Sequence, residues 1–367
     1  MKPLSNITVV DLTENLPGPF CSMTFADLGA RVIKVERPGG DPLRHSPGMW
    51  ASLNRGKESI ALDLKSADGR DILGRLADRA DVVLEGWRPG VAERLGADYP
   101  TLSARNPGLV YCSISGFGQD GPWRDRAGHD INYLALSGYL DVQARAEGRP
   151  STPPLLAADM AAAMYASTMV LAALNGRHAS GEGAYVDLSM AESVVSLLGP
   201  ELGRLDDDGA SREFPNVTAI PTYGLFLCAD GRWLSLGIVH EDHFWRRFCE
   251  ATGLNDLAGM DFEERMAGRE RVRQRVDQAL LTQPSYEWER LLVKADVPAA
   301  AIVPLERILG SVQLQSRGVF AEVEGHRFVS QPARFSTGPV APTAGPPNLG
   351  EHTDAILNEL GEAGDLD

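Results

Sequence analysis

Apolar and polar positions in the first third of the chain alternate in blocks whose period switches between two and about four. Ile7 to Leu12 reads as a strand and Leu16-Pro17-Gly18-Pro19 as a turn. Phe20 to Leu28 reads as a helix stopped by Gly29, and Arg31 to Glu36 as a second strand. The alternation continues with an apolar run over Ser59 to Leu64, an amphipathic segment from Ala67 to Arg79 carrying Ile72, Leu73 and Leu76, and strands at Asp81 to Leu84 and Leu109 to Ile114. Repetition of strand and helix in this order predicts an α/β, Rossmann-like, doubly wound and mostly parallel sheet.

Between Gly116 and Pro154 the chain is rich in Gly, Pro and polar residues. Asp159 then opens an apolar helix whose core, Met160 to Leu174, is about fifteen residues long, short of the roughly 18 to 20 that span a bilayer, and it is read as a buried helix. The helix stops in the stretch Asn175 to Gly183, and a strand, Tyr185 to Met190, follows. The acidic, polar residues from Asp206 to Asn216 read as a linker. Beyond them come short strands (Tyr223 to Cys228, Trp233 to Leu236), charged helices such as Met260 to Leu281, a Pro/Gly-rich stretch from Pro339 to Pro347 and a terminal helix, Thr353 to Leu360. The expected organisation is a large domain over residues 1–205, a linker over 206–216, a smaller α+β domain over 217–330, and a segment over 331–367 that returns to the large domain. No internal repeat is present.

At 367 residues the chain is long enough for two or three domains. Its formal charge, 35 basic minus 50 acidic residues, is −15, which excludes a diffuse basic surface for nucleic acid or an anionic membrane. An anionic ligand therefore requires a local cluster of cations. Cys21, Cys112, Cys228 and Cys249 have neither zinc nor disulfide-framework spacing, so a reducing cytoplasm is expected. Asp11 and Glu14 interrupt any apolar core that a signal peptide would need.

Glu36 ends the second strand about where an acidic residue grips a ribose, but the G-x-G-x-x-G that would cradle a dinucleotide is absent. Arg37, Arg44, Arg55, Lys57, Arg88 and Arg94 recur near the ends of the early strands. In a doubly wound sheet they would gather along one edge, as an anion site or as solvated surface charges. His240-Glu241-Asp242-His243 lacks the spacing that sets two imidazoles on one helical face; it reads as a solvated turn, and no metal is expected. Gly128-His129-Asp130-Ile131-Asn132-Tyr133 packs a proton carrier, a carboxylate, an amide and a phenol into five residues, dense enough to weigh a site against a structural histidine. Asp159 stands alone in apolar surroundings at a helix start. It reads as an N-cap, as a functional carboxylate, or as both, with the helix-end N–H groups free to hold an oxyanion.

These residues resemble the CoA-transferase family III (CaiB/BaiF) proteins and, within them, the α-methylacyl-CoA racemases. The similar segments include Pro17-Gly18-Pro19-Phe20-Cys21, Glu36-Arg37-Pro38, Asn54-Arg55-Gly56-Lys57, Arg88-Pro89-Gly90-Val91, Ser115-Gly116-Phe117-Gly118-Gln119 and Gly350-Glu351-His352-Thr353. The sharpest runs from Ala127 through His129, Asp130 and Tyr133 to Gly138. The resemblance covers nearly the whole chain, densely to about residue 195. It implies an acyl-CoA thioester substrate, no cofactor beyond the CoA of that substrate, and a homodimer of interlocked chains. It places Arg37 and Arg94 at the CoA phosphates or adenosine, with Leu16, Pro17, Ala61, Leu62, Asp63, Leu64 and Trp87 along its path and Gly128, Ile131, Asn132 and Tyr133 beside it. His129 and Asp159 match the racemase acid/base pair, with Asp130 in the same set.

Asp159 also matches the aspartate that the transferases use as a nucleophile, so two chemistries meet at one carboxylate. Transferases shield their intermediate with a Gly-rich loop. The corresponding Leu236 to His243 holds only Gly237, which favours proton transfer. Two departures bear on the racemase expectation. Met160-Ala161-Ala162-Ala163-Met164 replaces a glycine run, and the added methyls are expected to narrow the acyl pocket. The glutamate that orients the histidine is shifted by one, with Glu241 its counterpart and His240 the rival.

Overall fold

The structure, a computed structural model, describes residues 2–205 and 217–362; the expected linker, 206–216, lies outside the described residues. Strands β1 (Thr8–Asp11), β2 (Arg31–Glu36), β3 (Glu58–Ala61), β4 (Val82–Glu85), β5 (Val110–Ser115) and β6 (Ala184–Ser189) form one sheet in the order β3-β2-β1-β4-β5-β6. Every pairing is parallel. The helices between them are α1 (Pro17–Asp27), α2 (Pro47–Asn54), α3 (Ala67–Ala77), α4 (Val91–Leu95), α5 (Tyr99–Ser103), α6 (Asp130–Leu136), α7 (Tyr139–Glu147) and α8 (Ala157–Ser180); α9 (Met190–Leu197) and α10 (Gly199–Leu202) follow β6.

Helices cover both faces, which is why the central strands read as unbroken apolar runs. Val10, Leu12, Ile33 and Tyr111 pack against Leu73 and Leu76 of α3. Val9, Leu84, Cys112 and Ile114 pack on the other face against Cys21 and Phe25 of α1 and Ala162, Ala166 and Val170 of α8. Helix α8 has 24 residues and passes Asn175-Gly176 without breaking, ending at the left-handed Gly181. By length and composition alone it is long and apolar enough to cross a membrane. In the fold, its small residues Ala162, Ala163 and Ala166 are fully buried and let it lie close on the sheet.

The chain forms two compact units. One comprises Met1–Val142, Pro150–Gly199 and Val312–Asp367; the other comprises Gln143–Arg149 and Pro200–Ser311. The longer segment of the second unit runs from Pro200 to Ser311. It holds an antiparallel sheet, β7 (Tyr223–Leu227), β8 (Trp233–Gly237) and β9 (Ala299–Ala301), with helices α11 (Asp242–Thr252), α12 (Phe262–Ala267), α13 (Arg269–Leu280) and α14 (Ser285–Lys294). The single helix expected over Met260 to Leu281 is two. Asp261 and Glu264 cap the start of α12 reciprocally, and Gly268 ends it by donating to the Glu264 carbonyl. The first unit closes with α15 (Val312–Ser316), hairpins β10–β11 and β12–β13 within 320–339, and α16 (Thr353–Glu362), whose Ile356 and Leu360 complete the α3-side core.

Candidate active site

Strand β1 lies between β2 and β4, so the chain order reverses across it and the loops leaving the C-terminal strand ends part there. A cavity of about 810 Å³ opens at that point. Asn15 to Pro17 after β1, Gly86 to Pro89 after β4 and Ser115 to Phe117 at β5 line it, together with Arg124, Arg126, His129, Tyr133 and Asp159. A second hollow of about 290 Å³, lined by Lys34, Arg37, Leu62, Asp63, Leu64 and Lys65, shares Glu14 and Trp87 with the first.

Asp11 holds the rim. Its Oδ1 accepts from the Thr13 N–H (3.0 Å) and Oγ1 (2.5 Å), and its Oδ2 accepts from Ser22 Oγ (2.6 Å) and Lys57 Nζ (3.1 Å). A Cβ on Gly18 would lie 2.2 Å from the Thr13 side chain, so only glycine lets α1 approach β1 this closely. Burial raises the Asp11 pKa, but Lys57, Lys34, Ser22 and Thr13 outweigh it and hold the carboxyl below the usual carboxylate range.

The polar run at 128–133 is the start of a helix rather than a loop. His129 stands at the N-cap of α6, exposed, with its N–H donating to Asn132 Oδ1 (3.0 Å). Tyr133 donates its hydroxyl to the Gly128 carbonyl (2.7 Å), and its ring fills the space where a Cβ on Gly116 or Gly128 would sit. Asp130 is buried and reaches across 28 residues, its Oδ2 accepting from the Ala158 N–H (2.7 Å) and the Asp159 N–H (3.2 Å). The cap of α8 is thus Asp130, not Asp159, and the two N–H groups expected to serve an oxyanion are occupied. Asp159 sits in the first turn of α8 and lines the cavity with His129. Burial pushes its carboxyl up to about 6, the neighbouring Asp130 adds to the shift, and no cation offsets it.

The six cations do not converge. Arg44 binds Glu36 through two bonds (2.6 and 2.7 Å), Arg55 pairs with buried Asp27 (2.7 Å), and Lys57 is taken by Asp11. Glu36 is consumed by Arg44, Ser59 Oγ (2.6 Å) and the Asp41 N–H (3.1 Å), which removes the ribose-binding reading. Arg37 lines the smaller hollow with its guanidinium 3.6 Å from Glu14, and Arg88 lines the larger cavity. Arg94 is exposed on α4 and borders neither hollow; Ala61 and Ile131 also lie outside both linings.

Ala161, Ala162 and Ala163 are buried in the fold and none lines the cavity, so their methyls do not narrow it. Glu241 belongs to the second unit, where its Oε2 accepts the Val239 N–H (3.0 Å), and Asp242 beside it pairs with buried Arg265 (2.8 Å). Sequence reading missed Arg124, Arg126 and Lys34 as lining groups. The first two fall in the Gly/Pro-rich stretch just after a predicted strand end, which was the available signal.

The sequence profile of CoA-transferase family III matches residues 4–353. This chain belongs to that family. The family III chain is 32% identical to the succinyl-CoA:mesaconate CoA-transferase of Haloarcula hispanica, covering 98% of this chain and 97% of that protein. It is also 32% identical to the human alpha-methylacyl-CoA racemase, over 98% and 93%. Among solved structures, a CAIB/BAIF family protein from Brucella suis superposes with a TM-score of 0.87 at 29% identity, over 98% and 99% of the two chains. Its relatives thus divide between CoA-transferases and racemases, on one α/β fold with a central parallel sheet.

Proposed function

We propose that this chain is an acyl-CoA racemase or epimerase that exchanges the α-proton of a 2-methylacyl-CoA, or a related 2-substituted acyl-CoA, thioester. The observation that carries the reading is that two proton carriers, His129 and Asp159, line one cavity, and that burial sets Asp159 at about 6, where it both accepts and returns a proton near neutrality. One carrier takes the α-proton from one face; the C–H electron pair forms the C=C bond of an enolate as the carbonyl π pair moves onto the thioester oxygen. The other carrier returns a proton to the opposite face, inverting the centre. The CoA phosphates lie toward the smaller hollow, by Arg37 and Lys65, with Trp87 between the two compartments. The chain works as an interlocked homodimer, for which a melting temperature that rises with protein concentration is the check.

The decisive experiment incubates the purified protein with one enantiomer of a 2-methylacyl-CoA in deuterated buffer. Deuterium at the α-carbon and inversion without any acceptor acid support the proposal. No α-deuterium under these conditions, with CoA appearing on a free carboxylic acid once one is added, overturns it in favour of a second reading, CoA transfer through an Asp159 thioester, which the names of several relatives favour.

A further inference from the structure

Proton exchange assigns no work to Glu85, yet this carboxyl, 3% exposed at the end of β4, joins both walls of the crevice. Its Oε2 accepts the Trp87 N–H (2.8 Å) and its Oε1 accepts the Ser113 hydroxyl. Ser113 Oγ also accepts from Gln119 Nε2 (2.7 Å), and the Gln119 carbonyl accepts from Arg124 Nε (2.9 Å). Trp87, with Glu14, lines both hollows, and Arg124 lines the larger. Glu85 itself borders neither. One carboxyl thus ties the loop after β4 to the loop after β5.

A cap for one N–H needs only a serine or an asparagine. A buried carboxylate without a cation is costly; the titratable group that shifts it, Asp187, is itself acidic, and so are Tyr111, Cys112 and Tyr185, which Glu85 in turn pushes up. We propose that Glu85 is a positioning residue for the CoA thioester, and that gain or loss of its proton changes how firmly the Trp87 wall is held. The inference rests on the crevice binding CoA and is indifferent to which chemistry follows. Ionised, the carboxyl accepts from both Trp87 and Ser113. Protonated, it must donate to Ser113 Oγ, and the bond from Trp87 weakens because its acceptor is neutral. Burial pushes Glu85 up to about 7, against the hydrogen bonds from Ser113 and Trp87, so both forms are populated near neutrality.

The test is calorimetric binding of CoA itself at pH 6 and pH 8 to the full chain and to Glu85→Gln, which mimics the protonated acid with little change of shape. At pH 8 the variant should bind roughly three- to tenfold more weakly, the advantage of one charge-assisted hydrogen bond over a neutral one. At pH 6 the two proteins should converge. Titration of CoA's own phosphate is common to both proteins and cancels in their ratio. A gap of the same size at both pH values, or none at either, overturns the proposal, with melting curves confirming that Glu85→Gln is folded. If neither protein binds CoA, the reading of the crevice fails first and the proposal falls with it.

Discussion

Two groups of charges stand within one fold and obey opposite rules. At the ends of β1 to β3, Asp11, Lys57, Lys34 and Asp41 are at most 4% exposed, and each faces an opposite charge. Lys57 Nζ is 3.1 Å from Asp11, and Lys34 Nζ is 3.0 Å from Asp41 Oδ2, within ion-pair range though outside hydrogen-bond geometry. In the crevice, Asp159 is only partly buried, and its charged neighbour is Asp130. Burial raises both Asp11 and Asp159. Lysines reverse the shift at Asp11, and a second carboxylate extends it at Asp159. What separates a scaffold carboxylate from a working one is therefore its partner, not its depth.

The largest effect expected from breaking this contrast is on the working side. Asp159→Ala and His129→Ala should each lower racemisation by on the order of 10²- to 10⁴-fold. Each variant should retain at most the single-turnover α-deuterium exchange of the one enantiomer that its surviving carrier faces. Near-normal racemisation by either variant would remove that residue from the acid/base pair. Next in size, Lys57→Met strips the partner from a fully buried carboxylate and should cost about 3 to 5 kcal/mol in urea unfolding. A loss below about 1 kcal/mol would mean that Asp11 does not depend on that lysine. Smaller again, Arg37→Ala should weaken calorimetric CoA binding about tenfold, with added salt closing the gap, because this guanidinium is largely exposed. Unchanged affinity would take the CoA phosphates away from Arg37.

The alternation of strand and helix is legible because the central strands β1, β2, β4 and β5 are buried on both faces and amphipathic helices such as α3 on one. Arg31 to Glu36 was read at its observed ends, and α3 starts where its amphipathic pattern starts. What pattern does not carry is partnership across the fold. Arg44, Arg55 and Lys57 look like Arg37 and Arg88 in the sequence; only the tertiary structure buries Asp27, Asp11 and Glu36 beside the first three. Helix α6 hid in a Gly- and Pro-rich stretch because its start is set by His129 and Asn132 rather than by periodicity. The cap of α8 was misassigned because the capping carboxylate comes from Asp130, far along the chain. Met160 to Leu174 marked only the apolar middle of α8, since local composition ends a helix at Asn175-Gly176 where packing on the sheet continues it.

An effect of similar size to the Arg37→Ala loss sets the two groups of charges directly against each other. The Asp159 carboxyl rises from its ordinary value of 3.8 to about 6 on folding, so between those values the folded state holds the proton more tightly than the unfolded state does. Stability conferred by this group therefore falls as pH rises from about 4 to 6, and above that range the full cost of the buried charge is present. Asp159→Asn removes that cost. The variant should match the parent near pH 4 and exceed it by on the order of 1 to 2 kcal/mol above pH 7, discounted from the full shift because part of the carboxyl meets solvent. Asp11→Asn should behave with the opposite sign, since its folded pKa lies below the ordinary value. It should lose stability at neutral pH, and the loss should shrink as acid protonates the parent's own carboxylate. Melting curves of both variants and the parent across pH 4 to 8 read the sign of each difference, and extension below pH 4, the ordinary carboxyl value, reads the shrinking of the Asp11→Asn loss. Parallel shifts of both variants in the same direction would show that the carboxylates do not differ in kind, and the contrast between scaffold and site would then rest on geometry alone.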